Sequence, residues 1–252
     1  MKPITLLPLL GLPDIQPGDD LAGIFRGAAH ERGIAWEDGD VLVIAQKIVS
    51  KAEDRFVSLE EIEPSVRAIE LAAACGKDSR LVELVLREST DVLRVVPGVL
   101  IVRHRLGHVM ANAGIDQSNV GRGQTDVLLL PSDPDRSAAT LRAALRAGTG
   151  ADIAVVIADS FGRPWRMGTC GVAIGASGLT ALSRQSGSND RYGRVLQHTE
   201  VAVADEFAAA GSLLMGQAAE GVPAALVKGA QRFCGEGDTS QIIRPLEQDL
   251  FR

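Results

Sequence analysis

Asp159 and Ser160 close an apolar run, Ile153–Ala158, and Arg163 and Arg166 follow within a few residues. A hard divalent cation takes carboxylate and hydroxyl oxygens, and the end of a buried strand holds such groups rigidly. Guanidinium groups nearby can grip phosphate oxygens through their fork of donors. The same Asp-Ser pair is also a plain turn former, so spacing alone leaves metal ligand and turn both open. A second polar stretch, Asn112-Ala113-Gly114-Ile115-Asp116-Gln117-Ser118-Asn119, brings a carboxylate, amides and a hydroxyl together. If Asp116 shared a cation with Asp159, both carboxylates would stay ionised, because the charge of the ion outweighs their repulsion. The alternative is an ordinary Asn/Asp/Gly turn cluster.

Two further segments carry usable chemistry. Gln46-Lys47-Ile48-Val49-Ser50-Lys51-Ala52-Glu53 follows the aliphatic run Val41–Ala45, and its two lysines could meet a polyphosphate as point charges. They could equally sit on a solvated helix start. Met215-Gly216-Gln217-Ala218-Ala219-Glu220-Gly221-Val222 has small residues that let backbone amides approach a ligand. Its simpler reading is a glycine stop after a helix. The four histidines, His30, His104, His108 and His198, lack ligand spacing and read as surface or core residues. Walker, dinucleotide, nucleophile-elbow and HExxH signatures are absent from the sequence.

The elements that must hold these residues follow from periodicity. Continuous aliphatic runs at Val41–Ala45 and Ile153–Ala158 predict strands buried on both faces. Shorter strands are expected at Ile4–Leu10, Val92–Val96, Val99–His104, His108–Ala111, Val127–Leu130 and Ala224–Val227, with one or two more within Gly168–Leu182. Helices are expected at Leu21–Arg32, Ser58–Ile62, Pro64–Cys75, Ser79–Glu88, Arg136–Thr149 and Thr199–Gln217. The inner side of that last helix should carry Ala202, Phe207, Ala210 and Leu214. Residues 112–123 and Arg184–Arg194 read as polar loops, and the tail after Cys234 as helical only at its end.

Composition narrows the function class. Only 4% of residues are aromatic against 46% hydrophobic, so the core must rest on Val, Leu, Ile and Ala. The formal net charge of -6 argues against nucleic-acid binding, which needs clustered cations to displace counterions. The three cysteines, Cys75, Cys170 and Cys234, are widely spaced and form neither a disulfide framework nor a Cys-rich zinc site. No apolar run approaches the roughly 18 residues of a membrane helix. The start is too short and Pro-broken for a signal segment. A cytoplasmic protein is expected.

In order along the chain, several segments resemble one family. They are Gly11-Leu12-Pro13 with Pro17-Gly18-Asp19-Asp20-Leu21, Asp38-Gly39-Asp40-Val41, Ser50-Lys51-Ala52-Glu53, Asn112-Ala113-Gly114-Ile115-Asp116 with Ser118-Asn119, and Asp159-Ser160 with Gly162-Arg163. Asp190 with Tyr192-Gly193, Ala202-Val203-Ala204-Asp205-Glu206 and Met215-Gly216 complete the set. Each piece is unspecific, but the ordered set resembles the coenzyme F420-0:L-glutamate ligases, also called F420:γ-glutamyl ligases. The resemblance implies the stand-alone form, a single domain over residues 1–252. It implies a mixed α+β fold with aliphatic sheets flanked by helices in two interleaved lobes. It also implies GTP as phosphoryl donor, two divalent ions (Mg2+ or Mn2+) with K+ as a further ion, and a homodimer. The substrates would be the deazaflavin precursor F420-0 or a relative of it, and L-glutamate.

Carried over to this sequence, Leu12, Pro13, Asp14 and Ile15 would border the nucleotide, and Gln46, Lys51 and Asn119 would contact it. Met215, Gly216, Gln217, Ala218, Ala219, Glu220, Gly221 and Val222 would line it. Asp116 and Asp159 would bind the first metal and carry the catalysis; Ser160 and Gln217 would bind the second. Relatives often have Thr at the position of Ser160 and a hydroxyl residue at that of Gln46, and some have Glu at that of Gln217. Two rival readings use the same residues: a metal-dependent phosphatase or kinase, and a non-catalytic nucleotide- or deazaflavin-binding module.

Overall fold

The computed structural model describes residues 3–121, 123 and 125–249. In chain order the elements are β1 (Thr5–Pro8), α1 (Leu21–Glu31), β2 (Val41–Ala45), α2 (Gln46–Ala52), β3 (Phe56–Ser58), α3 (Val66–Cys75), α4 (Ser79–Arg87), β4 (Ser89–Val96), β5 (Val99–His104), β6 (Val109–Ala111) and β7 (Asp126–Leu128). There follow α5 (Pro134–Thr149), β8 (Ala154–Arg163), β9 (Arg166–Ser177), β10 (Leu182–Arg184), β11 (Glu200–Ala202), α6 (Val203–Met215) and β12 (Ala224–Lys228). The fold is mixed α+β. Arg122 and Gln124 near the expected polar loop, the start Met1-Lys2, and the chain end 250–252 expected to be helical lie outside the described residues.

A five-stranded sheet, ordered β1-β12-β2-β8-β9, forms the larger lobe. The aliphatic runs in β2 and β8 need two cores because helices cover both faces of the sheet. Leu42, Ile44, Val155 and Ile157 enter one core with Phe25 of α1 and Leu145 of α5. Val41, Val43, Ala154, Val156 and Ala158 enter the other with Ala204, Phe207 and Ala208 of α6. Period-2 alternation thus divides an unbroken apolar run between two packing faces.

The smaller lobe has its own core, and every member of that core lies between Val57 and Leu129. There α3 and α4 cover the three-stranded sheet β4-β5-β6. The two expected lobes therefore interleave simply: one unbroken segment is inserted between α2 and α5. Within the inserted lobe, Glu88 receives Arg105 Nε at 3.2 Å and lies 3.6 Å from Arg55 Nη2. An aromatic contact joins the two lobes. The His108 ring meets Phe161 of β8 edge-on at 5.6 Å.

Four expectations change. The strand carrying Asp159 does not end there: β8 runs on to Arg163 and pairs with β9 out to Arg163↔Arg166. This arm reaches beyond the helices, so its polar sequence imitates a loop. Ser58–Ile62 is no helix; Phe56–Ser58 pairs with β7 and only Leu59–Glu61 forms a 3-10 turn. The last long helix starts at Val203, because Glu200–Ala202 pairs with Leu182–Arg184. Its buried residues are Val203, Ala204, Phe207, Ala208 and Gly211, whereas Ala210 and Leu214 are only half-buried. With Ala and Val on several faces, sequence cannot set the phase of that helix. In the tail, the described part forms 3-10 turns, the last at Leu246–Gln248.

Candidate active site

The parallel pair β2 and β8 ends at Ala45↔Ala158, where β2 turns directly into α2. Ligands of open α/β sheets gather beyond such carboxyl ends. Asp159 is the next residue on β8. Between Ile157↔Gly175 and Ala158↔Ala173 the ladder shifts, leaving Ile174 as the extra residue of a bulge beside the aspartate.

Asp116 arrives from the inserted lobe. Asn112, Ala113 and Gly114 all adopt left-handed φ of 51°, 53° and 67°, which reverses the chain just before it. Gly114 is required there: a Cβ would lie 2.6 Å from Met110 Cε and 3.0 Å from Leu130 Cδ2. Asp116 then exchanges both backbone hydrogen bonds with Leu128, each at 2.9 Å. Its main chain is thereby locked while its side chain is left to the cavity.

A cavity of about 590 Å³ opens between these elements. That volume is typical of cofactor and substrate sites. Leu12, Pro13, Asp14 and Ile15 form one wall. Gln46 and Lys51 of α2, with Asp116 and Asn119, form another. Asp159 and Ser160 lie at the base, and the whole run Met215–Val222 forms the far side. Every residue that the family resemblance places in the site therefore borders this one space. Arg163 and Arg166 do not; they face each other at the tip of the β8–β9 arm. The four histidines are also outside its lining.

The lining also holds Lys47, one of the two lysines noted in the sequence but not assigned by the resemblance, and Ser212 and Gly171, which sequence reading did not select. Lys47 Nζ is 3.5 Å from Asp116 Oδ2 and donates to the Ser118 carbonyl at 2.9 Å. Ser212 accepts from Gln217 Nε2 at 3.2 Å. Gly171 lets α6 press onto β9, since a Cβ there would lie 2.4 Å from the Ala208 carbonyl oxygen. The only signal for Lys47 was its place next to a buried strand, and Ser212 gave none. Across the mouth, Asn119 Nδ2 reaches the Ala218 carbonyl at 3.4 Å, joining the loops of the two lobes.

The electrostatics of the base are unusual. Burial pushes the Asp159 carboxyl up to about 7, and the nearby charge of Asp116 adds to this; the Ser160 amide and Lys47 oppose it. Asp116 is also raised by burial, against the pull of Lys47 and Gln46. Among the described residues Asp159 accepts one hydrogen bond, from the Ser160 amide at 2.7 Å. Beside it, Ser160 Oγ donates to Gln217 Oε1 at 2.7 Å. Lys51 is held below the usual lysine range, by burial and by the charge of Lys47, against the pull of Asp14. Among the described residues no three His, Cys, Asp or Glu side chains converge as a metal cluster. The donors that do converge are carboxylate, hydroxyl and amide oxygens. A set of oxygens alone fits Mg2+ or Mn2+ and gives little to a soft metal.

Residues 10–229 match the family F420-0:Gamma-glutamyl ligase. The chain belongs to this family. All cavity residues named above fall inside the matched stretch. The chain is 46% identical over 251 residues to the coenzyme F420:L-glutamate ligase of Methanothermobacter thermautotrophicus, covering 99% of each chain. It is 48% identical over 242 residues to the protein of that name from Methanopyrus kandleri, covering 94% of this chain and 93% of the relative. With that from Archaeoglobus fulgidus the identity is 45% over 249 residues, covering 99% and 96%. As a member of the F420-0:gamma-glutamyl ligase family, the chain has no helix long and apolar enough to cross a membrane among its described residues.

Proposed function

We propose that the protein is a GTP- and divalent-metal-dependent ligase that joins L-glutamate to the free carboxylate of the phospholactyl arm of F420-0, with any further glutamates added through γ-linkages. The observation that carries this reading is the cavity itself. Two carboxylates from different lobes meet at its base, and lysines and a small-residue loop line its walls. The relatives named as coenzyme F420:L-glutamate ligases support the choice of acceptor and amino acid.

Asp116 and Asp159 would hold one Mg2+ or Mn2+, and Ser160 and Gln217 a second. Bound there, the ions offset the charge of the triphosphate as a carboxylate approaches it. Lys47 and Lys51 flank the same space and meet the phosphates as point charges. The small residues of the loop Met215–Val222 allow close approach. An acceptor carboxylate oxygen attacks the γ-phosphorus, and the bond to the bridging oxygen breaks with release of GDP. The resulting acyl phosphate has a good leaving group. The glutamate amine attacks its carbonyl carbon, forms the amide and expels phosphate. Positioning and charge stabilisation account for the rate, as in other phosphoryl transfers. K+ is a further expected ion. We place the enzyme in the cytoplasm as a homodimer; the β8–β9 arm, with Trp165 81% and Met167 98% exposed, offers apolar surface that a second copy would cover.

The test is mass spectrometry of products after incubation with F420-0, GTP, Mn2+ and L-glutamate. The expected result is a glutamyl adduct and GDP release that depends on glutamate. GDP release indifferent to glutamate would instead indicate a phosphatase. Tight GTP binding with no turnover would indicate a binding module.

A further inference from the structure

Below the cavity lies a short buried chain of side chains. Gln46 is 3% exposed and Ser50, one turn later on α2, is 0% exposed. Ser50 Oγ donates to Gln46 Oε1 at 2.8 Å, and Gln46 Nε2 donates to Asp116 Oδ2 at 2.7 Å. Chemistry fixes the direction of the amide. Turned over, it would press a carbonyl oxygen against an ionised carboxylate and leave the serine hydroxyl facing an N–H. Lys47 Nζ approaches the same oxygen, Asp116 Oδ2, at 3.5 Å. Among the described residues Asp116 Oδ1 accepts no side-chain hydrogen bond.

We propose that Gln46 is a positioning residue for the cation site. It holds Asp116 by Oδ2 so that Oδ1 is presented to the ion, and Ser50 fixes the orientation of the amide. The inference rests on the reading of Asp116 as a metal ligand. It changes the part Gln46 plays: its oxygen and one N–H are committed inside the protein, so its side chain serves the carboxylate rather than the nucleotide. Carboxylates that bind metals are commonly held by such outer hydrogen bonds, and losing one typically weakens metal affinity about 10- to 100-fold. Ser50 acts only through Gln46, so its effect should vanish when Gln46 cannot use it.

The experiment compares the full chain with Gln46→Leu, Ser50→Ala, the double variant and Asp116→Asn. Mn2+ binding is read by the electron paramagnetic resonance of free Mn2+. Nucleotide binding is read separately in EDTA with a fluorescent GTP analogue. Gln46→Leu should weaken Mn2+ binding about 10-fold or more, Ser50→Ala should weaken it by less, and the double variant should match Gln46→Leu alone. Metal-free nucleotide affinity should stay within about 2-fold of the parent. Additive losses in the double variant overturn the proposal. So does a fall in nucleotide affinity with Mn2+ binding intact. If Gln46→Leu does not fold, Ser50→Ala alone decides, because it removes only a hydroxyl; unchanged Mn2+ binding then refutes the chain. Normal Mn2+ binding by Asp116→Asn would sink the metal reading itself. Lost binding there with full binding in Gln46→Leu sinks only the positioning role.

Discussion

Two half-buried aspartates, Asp159 and Asp135, are both raised by desolvation, yet their surroundings are opposite. Asp135, in the first turn of α5, accepts from the Ala176 amide at 2.8 Å, the Thr239 amide at 3.0 Å and the Thr239 hydroxyl at 2.8 Å. Those donors belong to β9 and to the C-terminal segment, so the carboxylate pins the tail onto the sheet. Asp159 has the Ser160 amide and a second carboxylate for company, and it faces a cavity. Burial alone therefore does not mark a functional carboxylate. What separates the two is whether the protein supplies the donors or leaves the charge for something else to meet.

The sharpest way to break this contrast is to neutralise the open member. Asp159→Asn should reduce glutamate-dependent GDP release by about 100-fold or more, through loss of a charge that stabilises the transition state. It should not lower the thermal midpoint, because one of two repelling carboxylates is gone. Turnover unchanged at saturating Mg2+ would take Asp159 out of the metal site.

The next test is pH in metal-free protein. The folded carboxyl of Asp159 lies at about 7, above its ordinary 3.8, so the folded state holds its proton more tightly than the unfolded state does. Its contribution to stability is present below 3.8 and is lost as pH rises towards 7, a change on the order of 4 kcal/mol before partial exposure to the cavity is discounted. Denaturant titrations of parent and Asp159→Asn without metal should diverge over that window. Mg2+ at about 100 times its dissociation constant should restore about 2.7 kcal/mol to the parent alone. Parallel curves would show that the open carboxylate is compensated after all.

The closed member should behave in reverse. Asp135→Ala strands three donors, a loss of roughly 2 kcal/mol, or about 4–8 °C in thermal midpoint for a chain of this size. Activity per folded molecule should hold at temperatures well below unfolding. Thr239→Val is the mildest probe. It removes one hydroxyl donor to Asp135 and should cost about 1 kcal/mol in calorimetry. Should either change selectively abolish turnover, the division into structural and functional carboxylates fails.

Much of this arrangement was legible in the sequence. The aliphatic runs gave β2 and β8, and the ordered polar segments gave the residues of the cavity. What was illegible depended on partners distant in sequence. Asp159 read as a strand end because pairing with Val172 cannot be seen locally. Glu200–Ala202 read as helix because Leu182–Arg184 decides otherwise. The hydrogen bond from Gln46 to Asp116 was invisible because it spans 70 positions. The three donors of Asp135, likewise, come from residues 41 and 104 positions away.

The inserted segment brings Asp116 with a core of its own, while Asp159 grows from the large sheet. The distance between the two acids is thus set by how one folded body seats on another. Heat inactivation should then track whichever body melts first. A protein whose central sheet is still fully protected from hydrogen exchange could already be silent, its acid pair separated by the loosening of a neighbour.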